Sequence, residues 1–161
     1  MYRNVLLLFI VFFYLLTCSA APAAAAKPVI TADTTHYDTA SGLYLLKGNV
    51  RIEVGNRVIT AGQAKVSLSS LEVWATGGIT LTQDNIQLTA GSVYVYGARK
   101  QAALGGGVTL SQPHITITAD TADFNWRTKI GTFTGNVQVT QGSNTWPAPS
   151  VTYNIKTGTL Q

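Results

Sequence analysis

Four glycine-centred triplets recur at a fixed interval of 29 residues: Gly48-Asn49-Val50, Gly77-Gly78-Ile79, Gly106-Gly107-Val108 and Gly135-Asn136-Val137. A second series keeps the same step, with Ile30-Thr31-Ala32-Asp33, Ile59-Thr60-Ala61-Gly62, Leu88-Thr89-Ala90-Gly91 and Ile117-Thr118-Ala119-Asp120. A third column, Tyr37, Val66, Val95, Phe124 and Tyr153, carries it into a truncated fifth copy. Three columns in register without a gap define a stacked repeat, in which each unit buries its apolar side against its neighbours. Function in such a chain is to be sought along the stack, not in a single pocket.

Within one repeat the apolar period is two. Tyr44, Leu46, Val50, Ile52 and Val54 fall on even positions, with Lys47, Arg51 and Glu53 between them, the pattern of a half-buried strand. Turn dipeptides follow at one spacing: Gly55-Asn56, Asp84-Asn85, Pro113-His114 and Gly142-Ser143. On the return strand the apolar set moves from odd to even, from Ile59 and Ala61 to Ala64, Val66 and Leu68, and the slip recurs in later copies. A slip of one residue predicts a β-bulge, placed here at Asp33, Gly62, Gly91, Asp120 and Pro149.

Pairing about these turns sets Val50 against Ala61, Ile52 against Ile59, Tyr44 against Tyr37 and Gly48 against Asp33. Small or bulge-tolerant residues then line up across every strand, forming a crease along which one antiparallel sheet folds into a two-layered open roll. Nine strands at about 4.8 Å make a stack roughly 43 Å tall. One arm contributes Ile30, Val50, Ile52, Ile59, Ile79, Leu81, Ile86, Leu88, Val108, Leu110, Ile115, Ile117, Val137, Val139 and Trp146 to the interior. The other contributes Tyr37, Tyr44, Leu46, Val66, Leu68, Val73, Val95, Leu104, Phe124, Trp126, Phe133 and Tyr153.

The N-terminus reads as an export signal over residues 1–26: a short positive start, an apolar run from Val5 to Leu16, then small residues to Ala26. An uncleaved anchor, or lipidation at Cys18, are the alternatives. Residues 27–161 form the single remaining domain and contain no cysteine, so the core and the sheet ladder must hold the fold. Of the 11 Lys and Arg residues only Arg3 precedes residue 27; the ten others against seven acids leave a net charge of +3. That is too weak, and too free of Lys/Arg clusters, for a nucleic-acid partner.

With the signal, the Ile30-Thr31-Ala32-Asp33 and Gly48-Asn49-Val50 motifs and the recurring bulge positions assembled, residues 28–161 resemble the LptA/OstA family. The resemblance implies an all-β, open antiparallel β-jellyroll in the periplasm of a two-membrane bacterium. It implies lipopolysaccharide as the ligand, held by its acyl chains inside the roll, in a bridge from the inner to the outer membrane. Asp33 and Asp120 would be the motif acids, and Gly62 and Gly91 depart from the pattern. The membrane-anchored LptC-type relatives share this fold.

On this reading the acyl-chain contacts are Val50, Ile52, Ile59, Ile79, Leu81, Leu88, Leu104, Leu110, Ile117, Phe124 and Phe133. Interior Ala61, Ala75, Ala90, Ala102 and Gly131 either leave room for guests or relieve crowding at the bend. Unpaired edges at the two sheet ends invite strand addition, by other jellyroll components of the bridge or by a head-to-tail copy. A rim of Arg99, Lys100, Arg127, Lys129 and Lys156 either meets phosphates or is a solvated basic edge. Trp74, Tyr94 and Tyr96 form an outer cluster, for docking or for cross-strand pairing. Nothing points to an enzyme, a metal or a cofactor: His36 and His114 lie apart, and no nucleophile has a base at a recognisable spacing. The rival from another class is a secreted parallel β-helix, an adhesin or polysaccharide-binding module with one repeat per rung.

Overall fold

The computed structural model describes residues 29–54, 56–67 and 69–161. The export segment over residues 1–26, with Cys18, lies outside these residues, as do the turn residue Gly55 and the expected core residue Leu68. Among the described residues no helix is long and apolar enough to cross a membrane.

Among the described residues thirteen strands form one sheet. They are β1 (Val29–Thr31), β2 (Thr34–Asp38), β3 (Leu43–Val54), β4 (Arg57–Ser67), β5 (Glu72–Gln83), β6 (Ile86–Tyr96), β7 (Gln101–Gly105), β8 (Val108–Gln112), β9 (Ile115–Ala119), β10 (Thr121–Asn125), β11 (Ile130–Gln141), β12 (Asn144–Asn154) and β13 (Thr159–Leu160). Three pairs are halves of single bent strands, because β1 and β2 both pair with β3, β7 and β8 with β6, and β9 and β10 with β11. Nine long strands and the stub β13 result. Every ladder among the described residues is antiparallel. The parallel β-helix, and the adhesin reading built on it, is thereby overturned: the apolar faces meet across hairpins, not across rungs.

The expected register is present, with Tyr37 against Tyr44, Val50 against Ala61 and Ile52 against Ile59. The bulge exists, but on the other strand from the one predicted. Lys47 pairs with Gln63 and Val50 with Ala61, so Gly48 and Asn49 together stand opposite Gly62. Gly77-Gly78 likewise faces Gly62 on one side and Gly91 on the other, and Gly135-Asn136 faces Pro149. A parity slip reports only a relative offset, and backbone geometry decides who carries it. Both residues of each doublet take left-handed φ, +85° and +79° at Gly77 and Gly78 and +47° at Asn49, which sharply bends the strand.

The crease divides the sheet into two arms. The first holds β1, β8, β9 and the adjoining halves of the long strands, from the crease to the Asp84-Asn85 side; the second holds β2, β7, β10 and β13 with the other halves. Leu46, Val50, Ala61, Ala64, Ile79, Leu104, Val108 and Phe133, among others from both arms, form one buried cluster. Each large side chain so buried contributes about 1.5–3 kcal/mol of transfer free energy.

Candidate functional site: the crease and the apolar trough

The crease comes in two chemistries. In the middle rows Gly62 faces Gly77-Gly78 and Gly91 faces Gly106-Gly107, and the backbones nearly touch: a Cβ on Gly77 would lie 2.9 Å from Gly62 Cα. In the rows nearer each end an aspartate replaces the single glycine and an asparagine the second glycine of the doublet. Asn49 Nδ2 donates to Asp33 Oδ2 at 3.0 Å, and Asn136 Nδ2 donates to Asp120 Oδ2 at 2.8 Å. The backbone agrees, with Asp33 N–H donating to Gly48 O and Asp120 N–H to Gly135 O, both at 2.8 Å. Each carboxylate folds over the glycine beside it; a Cβ on Gly135 would meet Asp120 Oδ2 at 2.5 Å. The motif acids therefore pin the bend.

Sequence reasoning missed this Asp–Asn coupling, although its signal was present. The columns Asp33, Gly62, Gly91, Asp120 and Asn49, Gly78, Gly107, Asn136 change together, 16 residues apart in every copy. Asp120→Gly alone should lose about 1 kcal/mol, the value of one exposed charge-assisted bond. Asp120→Gly with Asn136→Gly should recover most of that loss, because it recreates a middle row. Urea midpoints read the comparison, and a double variant no better than the single would refute the coupling.

All eleven expected contact residues turn into the trough, but to unequal depths. Val50, Ile79, Leu104, Leu110, Ile117 and Phe133 are buried, whereas Ile52, Ile59, Leu81, Leu88 and Phe124 are half-buried, Ile52, Leu88 and Phe124 packing against the core. Of the small interior residues, Ala61, Ala75 and Ala90 are buried beside the crease. Gly131 leaves no space, because the Phe133 ring lies 3.2 Å from where its Cβ would be. Tyr37, at the first edge, is 41% exposed and its ring sits 4.7 Å from that of Tyr44. At the far end the Tyr153 hydroxyl donates to Gln112 Oε1 at 2.5 Å, and burial raises the tyrosine pKa.

Backbone bonds stack successive turns, Gly97 N–H donating to Leu71 O, Trp126 N–H to Lys100 O and Ile155 N–H to Lys129 O. They carry Arg99, Lys100, Arg127, Lys129 and Lys156 along one rim, with the Arg99 guanidinium 5.5 Å over the Tyr96 ring. On the outer face Trp74 stacks on Tyr94 at 4.9 Å, and Tyr94 meets Tyr96 at 4.0 Å. Tyr94 donates to Glu72 Oε1 at 2.8 Å; desolvation and this carboxylate push its pKa up to about 12. Trp74 and Tyr94 are a cross-strand pair, and Tyr96 follows Tyr94 along β6. A depression of about 490 Å³ beside Trp74, lined by Leu43, Gln63, Lys65 and Thr76, belongs to this face and lies on the opposite side of the sheet from the trough. His36 and His114 are exposed and apart. Among the described residues no three His, Cys, Asp or Glu groups converge as a metal site.

Comparison with known proteins agrees with this architecture. Residues 29–159 match the family described as LptA/(LptD N-terminal domain) LPS transport protein. No curated protein sequence matches the chain. Among solved structures, the fold is similar to that of LptH from Pseudomonas aeruginosa, described as the LptA-homologous periplasmic component of its lipopolysaccharide transport device. The TM-score is 0.60 at 15% identity, over 77% of this chain and 91% of LptH.

Proposed function

The chain belongs to the LptA/LptD N-terminal-domain family of lipopolysaccharide transport proteins, and on that premise we propose that it carries lipopolysaccharide through the periplasm by its acyl chains. The observation that carries this reading is the half-open apolar trough, whose rim-side Ile52, Ile59, Leu81 and Leu88 remain partly uncovered. A seated acyl chain gains about 0.8 kcal/mol per buried CH2, so shallow insertion holds a lipid reversibly. The phosphates of a seated lipid come closest to the basic rim at Arg99, Lys100, Arg127, Lys129 and Lys156.

The bridging role is supported by the sheet ends. Among the described residues β1 and β2 pair only with β3, and β12 is covered on its outer side only from Thr152 to Asn154, by Gln161 and β13. Repeats of constant pitch let another jellyroll, or a second copy, continue both the ladder and the trough. A photoreactive residue at Leu81 or Leu88 should capture purified lipopolysaccharide, and one at outward-facing Thr80 should not. Capture from Thr80 alone would sink the interior path.

A further inference from the structure

The trough is not uniform along its length. From β3 to β6 the first-arm side chains nearer the rim, Ile52, Ile59, Leu81 and Leu88, stay half-buried, as do Tyr44 and Val73 on the second arm, where Val66 between them is buried. Further along, the first-arm place is filled, with Leu110, Ile117 and Val139 0% exposed, and on the second arm Tyr153, level with Tyr44 and Val73, is 2% exposed. The rings of Phe124 and Phe133 both reach over Gly131, and Tyr153 pairs with Gly131 from β12. The Tyr153–Gln112 bond then crosses the mouth, because Tyr153 lies on the second arm and Gln112 ends β8 on the first. Gln112 also follows Val108 and Leu110 on the inward parity of β8, a polar side chain where the pattern calls for an apolar one.

We infer that the interior is divided into a receiving half, from β3 to β6, and a filled half, from β8 to β12, latched across the mouth by the Tyr153–Gln112 hydrogen bond, so that lipid reaches the β12 edge only when this latch opens. The inference rests on the trough being the lipid path and adds a gate to it. The magnitudes suit a gate. One hydrogen bond of this kind shifts an opening equilibrium by up to about tenfold. Each methylene that follows into the opened half returns roughly fourfold, so two or three methylenes outweigh the latch. When it opens, the tyrosine hydroxyl and the glutamine amide pass to water, which leaves no polar group stranded in the core.

The test uses single cysteines in the full chain with Cys18→Ser, probed with a small thiol reagent and no lipid. Leu81→Cys should react at least 100-fold faster than Val139→Cys. Tyr153→Phe or Gln112→Ala should raise labelling of Val139→Cys about tenfold and leave Leu81→Cys within twofold, and combining them should add little, since both break one bond. Equal labelling of the two sites in the unaltered latch, or latch substitutions that speed neither site or both alike, would overturn the gate. Should Val139→Cys fail to fold, Leu110→Cys reports on the same rows. Photo-crosslinking with purified rough-type lipopolysaccharide separates this inference from the reading beneath it. Capture at Leu81 that extends to Val139 only after Tyr153→Phe supports the gate. Capture at both sites without that change overturns the gate and keeps the path, whereas capture at neither overturns the lipid path and the passage proposed here with it.

Discussion

Gly77→Ala should lower the folding stability by about 4 kcal/mol, against about 1 kcal/mol for Gly78→Ala on the next residue. Both positions hold left-handed φ, so both substitutions carry the strain of an L side chain there, about 1–2 kcal/mol. Space makes the difference. A Cβ at Gly78 meets nothing within 4 Å, whereas at Gly77 it falls 2.9 Å from Gly62 Cα and 3.3 Å from Gly62 N. Those are backbone atoms in the middle of a ladder, and no rotamer change moves them aside. Relief requires the arms to part at the bend, which disturbs the packing of the buried rows on both sides and adds about 1–3 kcal/mol. Of a total near 5–15 kcal/mol that is a large share. Urea midpoints at unchanged slope measure it. Equal losses at the two glycines would show that strand approach does not shape the crease.

Much of this geometry was legible because two periods are superimposed. Alternation of two assigns each side chain to a face, and the step of 29 repeats that assignment with turns at fixed places, so register has little freedom to slip. Hence Trp74 lies against Tyr94 and Tyr37 against Tyr44, as expected. The host of the bulge was not legible, since counting parity cannot separate a residue gained on one strand from one lost on its neighbour. Positive φ at Gly77-Gly78 and at Gly48-Asn49 settles it. The division of the trough was hidden for another reason. Apolar columns look alike as classes, yet past Tyr37, which is 41% exposed at the first edge, one column runs Val66, Val95, Phe124, Tyr153 and another runs Leu46, Ala75, Leu104, Phe133. Ring volume thus accumulates in the later repeats, and only the meeting of both arms turns it into a filled interior. Gln112 carries its own signal, a polar residue at inward parity, but its partner lies on the other arm and outside any 29-residue step.

Phe133→Ala should cost about 3–5 kcal/mol, the largest loss expected from shortening any trough side chain. Its ring is 2% exposed and occupies the space above Gly131, and its strand neighbours at the same level are Ala122 and Val151. Gly131 and Ala122 have nothing to swing into the gap, so the cavity fills only in part and its cost adds to the lost transfer energy. Leu81→Ala, in the half-covered rows, should cost only about 1–2 kcal/mol, since part of that side chain already meets water. The two losses measured by urea denaturation test whether the later rows are truly filled. A loss below about 1 kcal/mol at Phe133 would mean loose packing there, and the filled half would then need no latch. A second readout follows from the neighbours of the ring, Phe124, Ala122 and Val151, which are apolar: a cavity so lined stays dry and accepts a small apolar guest. Benzene should therefore raise the thermal midpoint of Phe133→Ala and leave the parent unchanged, because a ligand that binds only the folded state stabilises it by mass action.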